Sequence, residues 1–268
     1  RQIGSTMGVA LFGAILTWES LPANLLLVQA WGLAPQAGWN HPSWSISAEW
    51  FAYLTFPLFA WAALALKARP RVAVALAALF MAVLYAGFEA WAGHPLTLAT
   101  IRWGALRIVP CFALGCALHS LWRERAGPGR KGALAGAAIS GAVALIAAAT
   151  ALSDTVIVLA TGGLIFYLAR MAQAGSAVLS ARPLIYLGEI SYSIYMVCVP
   201  WKIVFVNGAT SLLKLEGDQL PWPLWCVFLV GVVPLAAISY HLIEKPARTH
   251  MKLWAEVWKG RAPTVAGA

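Results

Sequence analysis

Apolar runs long enough to cross a membrane dominate the chain, and short polar linkers separate them. Seven runs are clear, at 44–66, 72–91, 104–122, 132–150, 155–172, 184–206 and 222–243, and a shorter eighth covers 3–18. A helix rises about 1.5 Å per residue and the hydrocarbon core is about 30 Å thick, so roughly 20 apolar residues suffice for a crossing. The segment 21–34, LPANLLLVQAWGLA, is apolar but short and reads as a re-entrant or interfacial piece. From Glu244 onward, Met251, Trp254 and Trp258 recur at helical spacing among basic residues, which predicts an interfacial helix. The expected fold is all-α: a polytopic transmembrane helical bundle of about eight spans over residues 1–243, followed by a tail over 244–268. The linkers are too short for a soluble domain, and no internal repeat stands out.

Composition supports the membrane assignment. The chain is 61% hydrophobic and 11% charged, with a mean hydropathy of +0.74. Soluble domains are about 45–50% apolar and about 25% charged, so a soluble fold of this size could not bury such a surface. The 14 Trp residues gather near the ends of the apolar runs, where they suit interfacial belts. Net charge is +9, but the basic residues sit between spans and none forms a stripe interleaved with aromatics. They therefore set topology and meet anionic lipid, and the expected partner is the bilayer, with no nucleic acid. Of the 19 basic residues, all but Arg102, Arg107, Lys202 and Lys214 fall on one side of the alternating spans. The positive-inside rule assigns that side, and the C-terminus, to the cytoplasm, as in a bacterial inner membrane. Cys111, Cys116, Cys198 and Cys226 read as apolar packing residues. His41, His94, His119 and His250 are loop or end residues without metal spacing, and His241 reads as a helix C-terminal cation. No bound metal or cofactor is expected.

Three polar islands interrupt the apolar pattern. In the first, HPSWSISAEWFAYLTFP (41–57), Glu49 places a carboxylate inside a membrane-length run. Such a group costs roughly 2.5–3.5 kcal/mol on insertion scales, and it commonly faces a bundle interior or a wet cavity. Trp44, Ser45, Ser47 and Tyr53 surround it, and Ser45, Glu49 and Tyr53 share a helix face at four-residue spacing. Arg107 and Lys202 are predicted at a similar depth, in the outer third of their spans. A polar cavity open to the outside follows, in which a cation pairs with Glu49. The second island, LGEISYSIYM (187–196), puts Ser191 and Tyr195 on one face. The third is SYHLIEKP (239–246).

The three islands together resemble, in order and rough spacing, the acyltransferase 3 family of multi-pass membrane acyltransferases. WSISAEWFAYLTFPL is similar to its Trp-Ser-x-Ser-x-Glu segment, LGEISYSIYMVCVP to its Gly-x-x-Ser-Tyr-Ser-x-Tyr segment, and SYHLIEKPAR to its closing Tyr-x-x-Ile-Glu-x-Pro segment. The resemblance implies a bundle of about ten spans that transfers an acyl group, often acetyl, from acyl-CoA to a hydroxyl. The implied acceptor is a carbohydrate, a lipid-linked glycan or a similar small molecule, so O-acetylation and polysaccharide modification are the expected roles. Two features depart from the family pattern. The His on the first span and the Arg-x-x-Arg pair on the second have no counterpart here, and Cys198 stands where many members have His. The chain begins at Arg1 and carries about two spans too few, so it is expected to be an N-terminally incomplete piece, catalytically incompetent alone.

Acyl transfer to an alcohol needs a base for the hydroxyl proton and a donor for the developing oxyanion. Glu49 either orients a His from the missing segment or is itself the base. Arg107 or Tyr195 supplies the oxyanion contact. Trp44, Ser45, Ser47, Tyr53, Ser191 and Lys202 are the expected substrate-binding groups. The competing class is a transporter or polysaccharide-export component, which would also carry intramembrane charges but commonly shows duplicated halves. A non-catalytic membrane scaffold is the third.

Overall fold

The computed structural model describes residues 21–34, 41–124, 127–175, 180–213 and 221–258. They form helices and short helical turns, and among the described residues there is no strand. The chain divides into two compact units, 1–181 and 182–268.

In the first unit, a short helix α1 (Leu21–Leu25) and a 3-10 turn (Gln29–Trp31) precede α2 (Ser43–Leu54) and α3 (Phe56–Ala65). Then come α4 (Pro70–Ala92), a 3-10 turn (Leu96–Leu98), α5 (Gly104–Trp122), α6 (Arg130–Ala149) and α7 (Asp154–Gln173). The second unit holds α8 (Arg182–Glu189), α9 (Ser191–Leu213), α10 (Trp222–Ser239), a π-helical turn (Tyr240–Glu244) and α11 (Lys245–Trp258).

Among the described residues, six helices are long and apolar enough to cross a membrane, or seven if α2 and α3 count as one bent span. The chain is an integral membrane protein, a polytopic all-α bundle. The eighth expected run, 3–18, lies outside the described residues. Two other expectations change. The run 44–66 is not one straight helix but bends by 55° between α2 and α3. Pro57 in the first turn of α3 has no N–H, and its ring crowds the carbonyl of Tyr53 one turn earlier. Thr55 fills the break, donating from its N–H and its hydroxyl to the carbonyl of Phe51 at 3.0 and 2.8 Å. The run 184–206 is likewise broken, at the fully buried Ile190, and the true span is Ser191–Leu213. Lys202 therefore lies midway along its helix and not near an outer end.

Inside the first unit, α4 presents Ala73, Ala77, Met81, Tyr85 and Phe88 on one face at helical spacing. That stripe packs on Leu114 and Ala117 of α5, with Leu96 and Ala99 from the intervening turn. Gly93, in the left-handed region at φ 74°, ends α4 and donates its N–H to the Glu89 carbonyl at 2.9 Å. Small residues let α6 and α7 approach closely, as membrane helices require. A Cβ at Gly136 would fall 2.5 Å from the Tyr167 ring, and one at Gly163 would fall 3.0 Å from Ser140 Oγ. Two polar contacts pin α7 at its ends. Thr97 donates to Asp154 at its start. Near its other end, Arg170 donates to the carbonyls of Leu121 and Glu124 at 3.0 and 3.1 Å, binding α7 to the C-terminus of α5. Large apolar side chains such as Leu145 and Leu79 point outward, as lipid-facing positions do.

In the second unit, α10, the π turn and α11 run as one helix, Trp222–Trp258, of 37 residues. The helix of the last span therefore continues past residue 243 into the expected tail.

Candidate functional site

A groove of about 1000 Å³ runs between α2–α3 and α5. Glu49 and Tyr53 of α2 and Ile108 of α5 line one end. Lys67, just beyond α3, and His119, Ser120 and Arg123 line the other. Between them the wall is small or apolar, with Ala60, Ala63, Gly115 and Cys116. From Ile108 to Arg123 the axis of α5 advances about 22 Å. One cavity thus joins a carboxylate and a phenol to a cluster of two cations and an imidazole. The bend at Thr55 shapes it by turning α3 along α5, where Phe56 and Phe59 meet the Phe112 ring edge-on at 6.4 and 4.9 Å between centroids.

Glu49 is exposed to this groove. It makes no ion pair with Arg107. That guanidinium instead lies over the Trp44 ring at 4.7 Å and donates to the Ala99 carbonyl at 3.2 Å. Trp44 in turn packs where Gly104 opens α5, since a Cβ there would come within 3.0 Å of its ring. Ser45 donates to the Pro42 carbonyl at 3.1 Å, inside the first turn of α2. Ser47 is fully buried, and its hydroxyl accepts from the Ala30 N–H at 3.0 Å. Its carbonyl accepts from the Trp31 indole at 3.0 Å. Gln29 adds a bond to the Ser43 carbonyl at 3.0 Å. The segment 21–34 is therefore a short non-spanning piece sewn onto α2. Within the Trp-Ser-x-Ser-x-Glu segment, Trp44, Ser45 and Ser47 hold the scaffold, while Glu49, followed by Tyr53, faces the cavity.

The second and third islands meet in the second unit. Ser193, buried at 2% exposure, donates to Glu244 Oε2 at 2.5 Å. Arg248 also donates to Glu244, one turn further along. Tyr186 OH and His241 Nε2 lie 3.3 Å apart with their rings stacked. His241 is not a helix C-terminal cation, because the helix continues past it. Ser191 donates to the Gly188 carbonyl at 2.8 Å and so bridges the break before α9. Tyr195 and Lys202 are both exposed on α9.

Sequence reasoning missed the basic end of the groove. Lys67 and Arg123 read as linker charges and His119 as an end residue, and only the packing of α3 beside α5 puts them in one cavity. It also missed Arg170, which reads as a loop charge yet is 7% exposed. Its Nε and the indole nitrogen of Trp122 are buried and without a hydrogen-bond partner. Among the described residues no group of three His, Cys, Asp or Glu side chains is placed to hold a metal ion.

The family model for the acyltransferase domain of the acyltransferase 3 type matches residues 3–241, and the chain belongs to that family. The family is a class of O-acyltransferases that move groups other than aminoacyl groups. The acyltransferase MdmB of Streptomyces mycarofaciens is 54% identical over 44 residues, a stretch that is 16% of this chain and 11% of that protein. No solved structure matches.

Proposed function

We propose that this bundle belongs to an O-acyltransferase that moves an acyl group, acetyl in the simplest case, from acyl-CoA to a hydroxyl of a carbohydrate or similar acceptor. The observation that carries the reading is the single groove with Glu49 at one end and Lys67, His119 and Arg123 at the other. A donor with an anionic head and a long arm ending in a thioester fits that polarity. The basic-linker asymmetry favours a bacterial inner membrane with the cationic end and the C-terminus in the cytoplasm, where acyl-CoA is found.

The assignment rests on the first unit alone. Glu49 accepts the acceptor's hydroxyl proton, directly or through an imidazole that it orients. As that proton leaves, the acceptor oxygen bonds to the acyl carbon, the carbon–sulfur bond breaks, and the departing thiolate takes up a proton. Tyr53, one turn along and lining the same groove, is the hydroxyl that stabilises the oxyanion. Arg107 stacks on Trp44 and keeps α5 registered against α2. Membranes holding the full-length protein, given labelled acetyl-CoA, test the reading. Covalent label on glycan supports it. Glycan movement that is independent of the donor would instead support transport.

A further inference from the structure

A second cavity, of about 640 Å³, lies between α5 and α7. Cys111, Gly115 and His119 line both this cavity and the groove. They recur every fourth residue, so they form one row along α5 that the two spaces share. The row is low in its middle, because Gly115 has no side chain and a Cβ there would meet nothing within 4 Å. The two spaces differ in chemistry. The groove ends in charge, whereas among the described residues the walls of this cavity hold no Asp, Glu, Lys or Arg. Leu114 and Leu118 of α5 and Val158, Ile165 and Phe166 of α7 form its apolar lining. Two of its polar side chains are already committed. The Thr161 hydroxyl donates to the Ile157 carbonyl at 2.8 Å, and the Cys111 thiol lies 3.5 Å from the Tyr85 hydroxyl. At the back, Gly162 brings α7 onto α5, where a Cβ would fall 3.2 and 3.4 Å from the side chains of Leu114 and Leu118. Along α5 the cavity runs from Cys111 to Trp122, an axial advance of about 16 Å.

We propose that this cavity takes the hydrocarbon chain of the acyl group, and that the group transferred is therefore longer than acetyl. The assignment rests on the acyl-CoA reading above and names its acyl class. With the thioester carbonyl at the Glu49 end, the chain leaves the groove beside Cys111, one turn from Ile108, and runs back along α5 on the α7 side of Gly115. The thioester arm and the chain then lie on opposite sides of one low row of side chains. A run of methylenes needs no hydrogen bond and gains up to about fourfold in affinity for each one removed from water, which suits uncharged walls. An acetyl group ends in a single methyl and would reach only the mouth. The volume lies within the range of small-molecule sites, about 300–1,000 Å³.

The test is binding of S-ethyl-, S-butyl-, S-hexyl- and S-octyl-coenzyme A to the full-length protein in phosphatidylcholine nanodiscs, with uptake by empty nanodiscs subtracted. These thioethers cannot transfer their chains, so no acceptor is required. Affinity should rise at least about tenfold from ethyl to octyl, within the limit of about fourfold per methylene. Thr161 lines this cavity and not the groove, so Thr161→Phe puts a ring midway along it. That variant should abolish the gain beyond butyl and leave ethyl binding unchanged. Ala169→Phe, nearer the Trp122 end, should weaken octyl alone. Uniform weakening of all four thioethers in both variants overturns the assignment, since lost packing has no chain-length order. Affinity independent of chain length, with acetyl transfer intact, overturns it too and leaves the acyltransferase reading standing. A gain that survives both ring insertions assigns the chain to the bilayer and likewise overturns it. Absence of thioether binding and of transfer from any acyl-CoA sinks the donor reading and this inference with it.

Discussion

The Ser193 hydroxyl donates to Glu244 Oε2 at 2.5 Å across 51 positions of sequence. It ties the start of α9 to the π-helical turn below α10, so the second and third polar islands form one interlock. Ser193→Ala leaves a carboxylate oxygen of Glu244 without its buried donor. Bonds to charged groups are worth about 1.5–3 kcal/mol, so the detergent-solubilised protein should melt several degrees lower. An unchanged melting temperature would remove the contact from the stability of this unit.

Glu49→Gln should cut acyl transfer by about a hundredfold or more while the protein still accumulates in membranes. The carboxylate faces an open groove and forms no ion pair with Arg107, so the amide leaves no buried cation stranded. The checks are labelled-acetyl transfer and membrane protein yield from the same preparation. Lost yield would make Glu49 a packing residue, and wild-type transfer would take it out of the chemistry.

The middle of the groove offers a steric test. Gly115 lines it, and a Cβ there meets nothing within 4 Å. Gly115→Ala should be silent, whereas Gly115→Phe should block transfer without lowering yield. Full activity in the Phe variant would show that no substrate passes that point.

Gly136 responds in the opposite way. Its Cβ would collide with the Tyr167 ring at 2.5 Å, so Gly136→Ala should destabilise by about 1–3 kcal/mol despite the better helix propensity of Ala. Thermal melts of the single variant and of the pair with Tyr167→Ala measure this, with the pair expected to recover part of the loss.

Orientation is checked by thiol labelling in a background without Cys111, Cys116, Cys198 and Cys226. Gly129→Cys should be shielded from an impermeant external reagent and Gly217→Cys should react. Gly129 is the better probe of its linker because a Cβ there is free, whereas at Gly127 it would displace Arg170. Labelling at residue 129 in intact cells would invert the topology.

The spans were legible because hydrocarbon thickness translates directly into run length. The bend at Thr55 was also written in the sequence, since Pro57 cannot continue a straight helix. The break at Ile190 carries no such sign. Gly188 and Ser191 surround it without proline, and a window of apolar residues runs straight through. The convergence of Lys67 with His119 and Arg123 depends on the packing of helices more than fifty positions apart, which no local pattern encodes. Arg170 was misread for a related reason. A cation in the last turn of a helix ordinarily faces solvent, and the neighbouring carbonyls of Leu121 and Glu124, with Gln173 Oε1, make its burial tolerable.

The unbroken helix Trp222–Trp258 has a mechanical consequence. Its 37 residues extend about 55 Å, against about 30 Å of hydrocarbon. Roughly 25 Å must therefore stand clear of the lipid tails. A segment that lies flat on a membrane needs a corner where it leaves the last crossing, and Trp222–Trp258 has no non-helical residue to make one. Trp254 and Trp258, 78% and 89% exposed, are carried outward on a stiff mast that is continuous with the Glu244 turn. A load applied to those two indoles would be delivered as torque to the membrane-embedded stem.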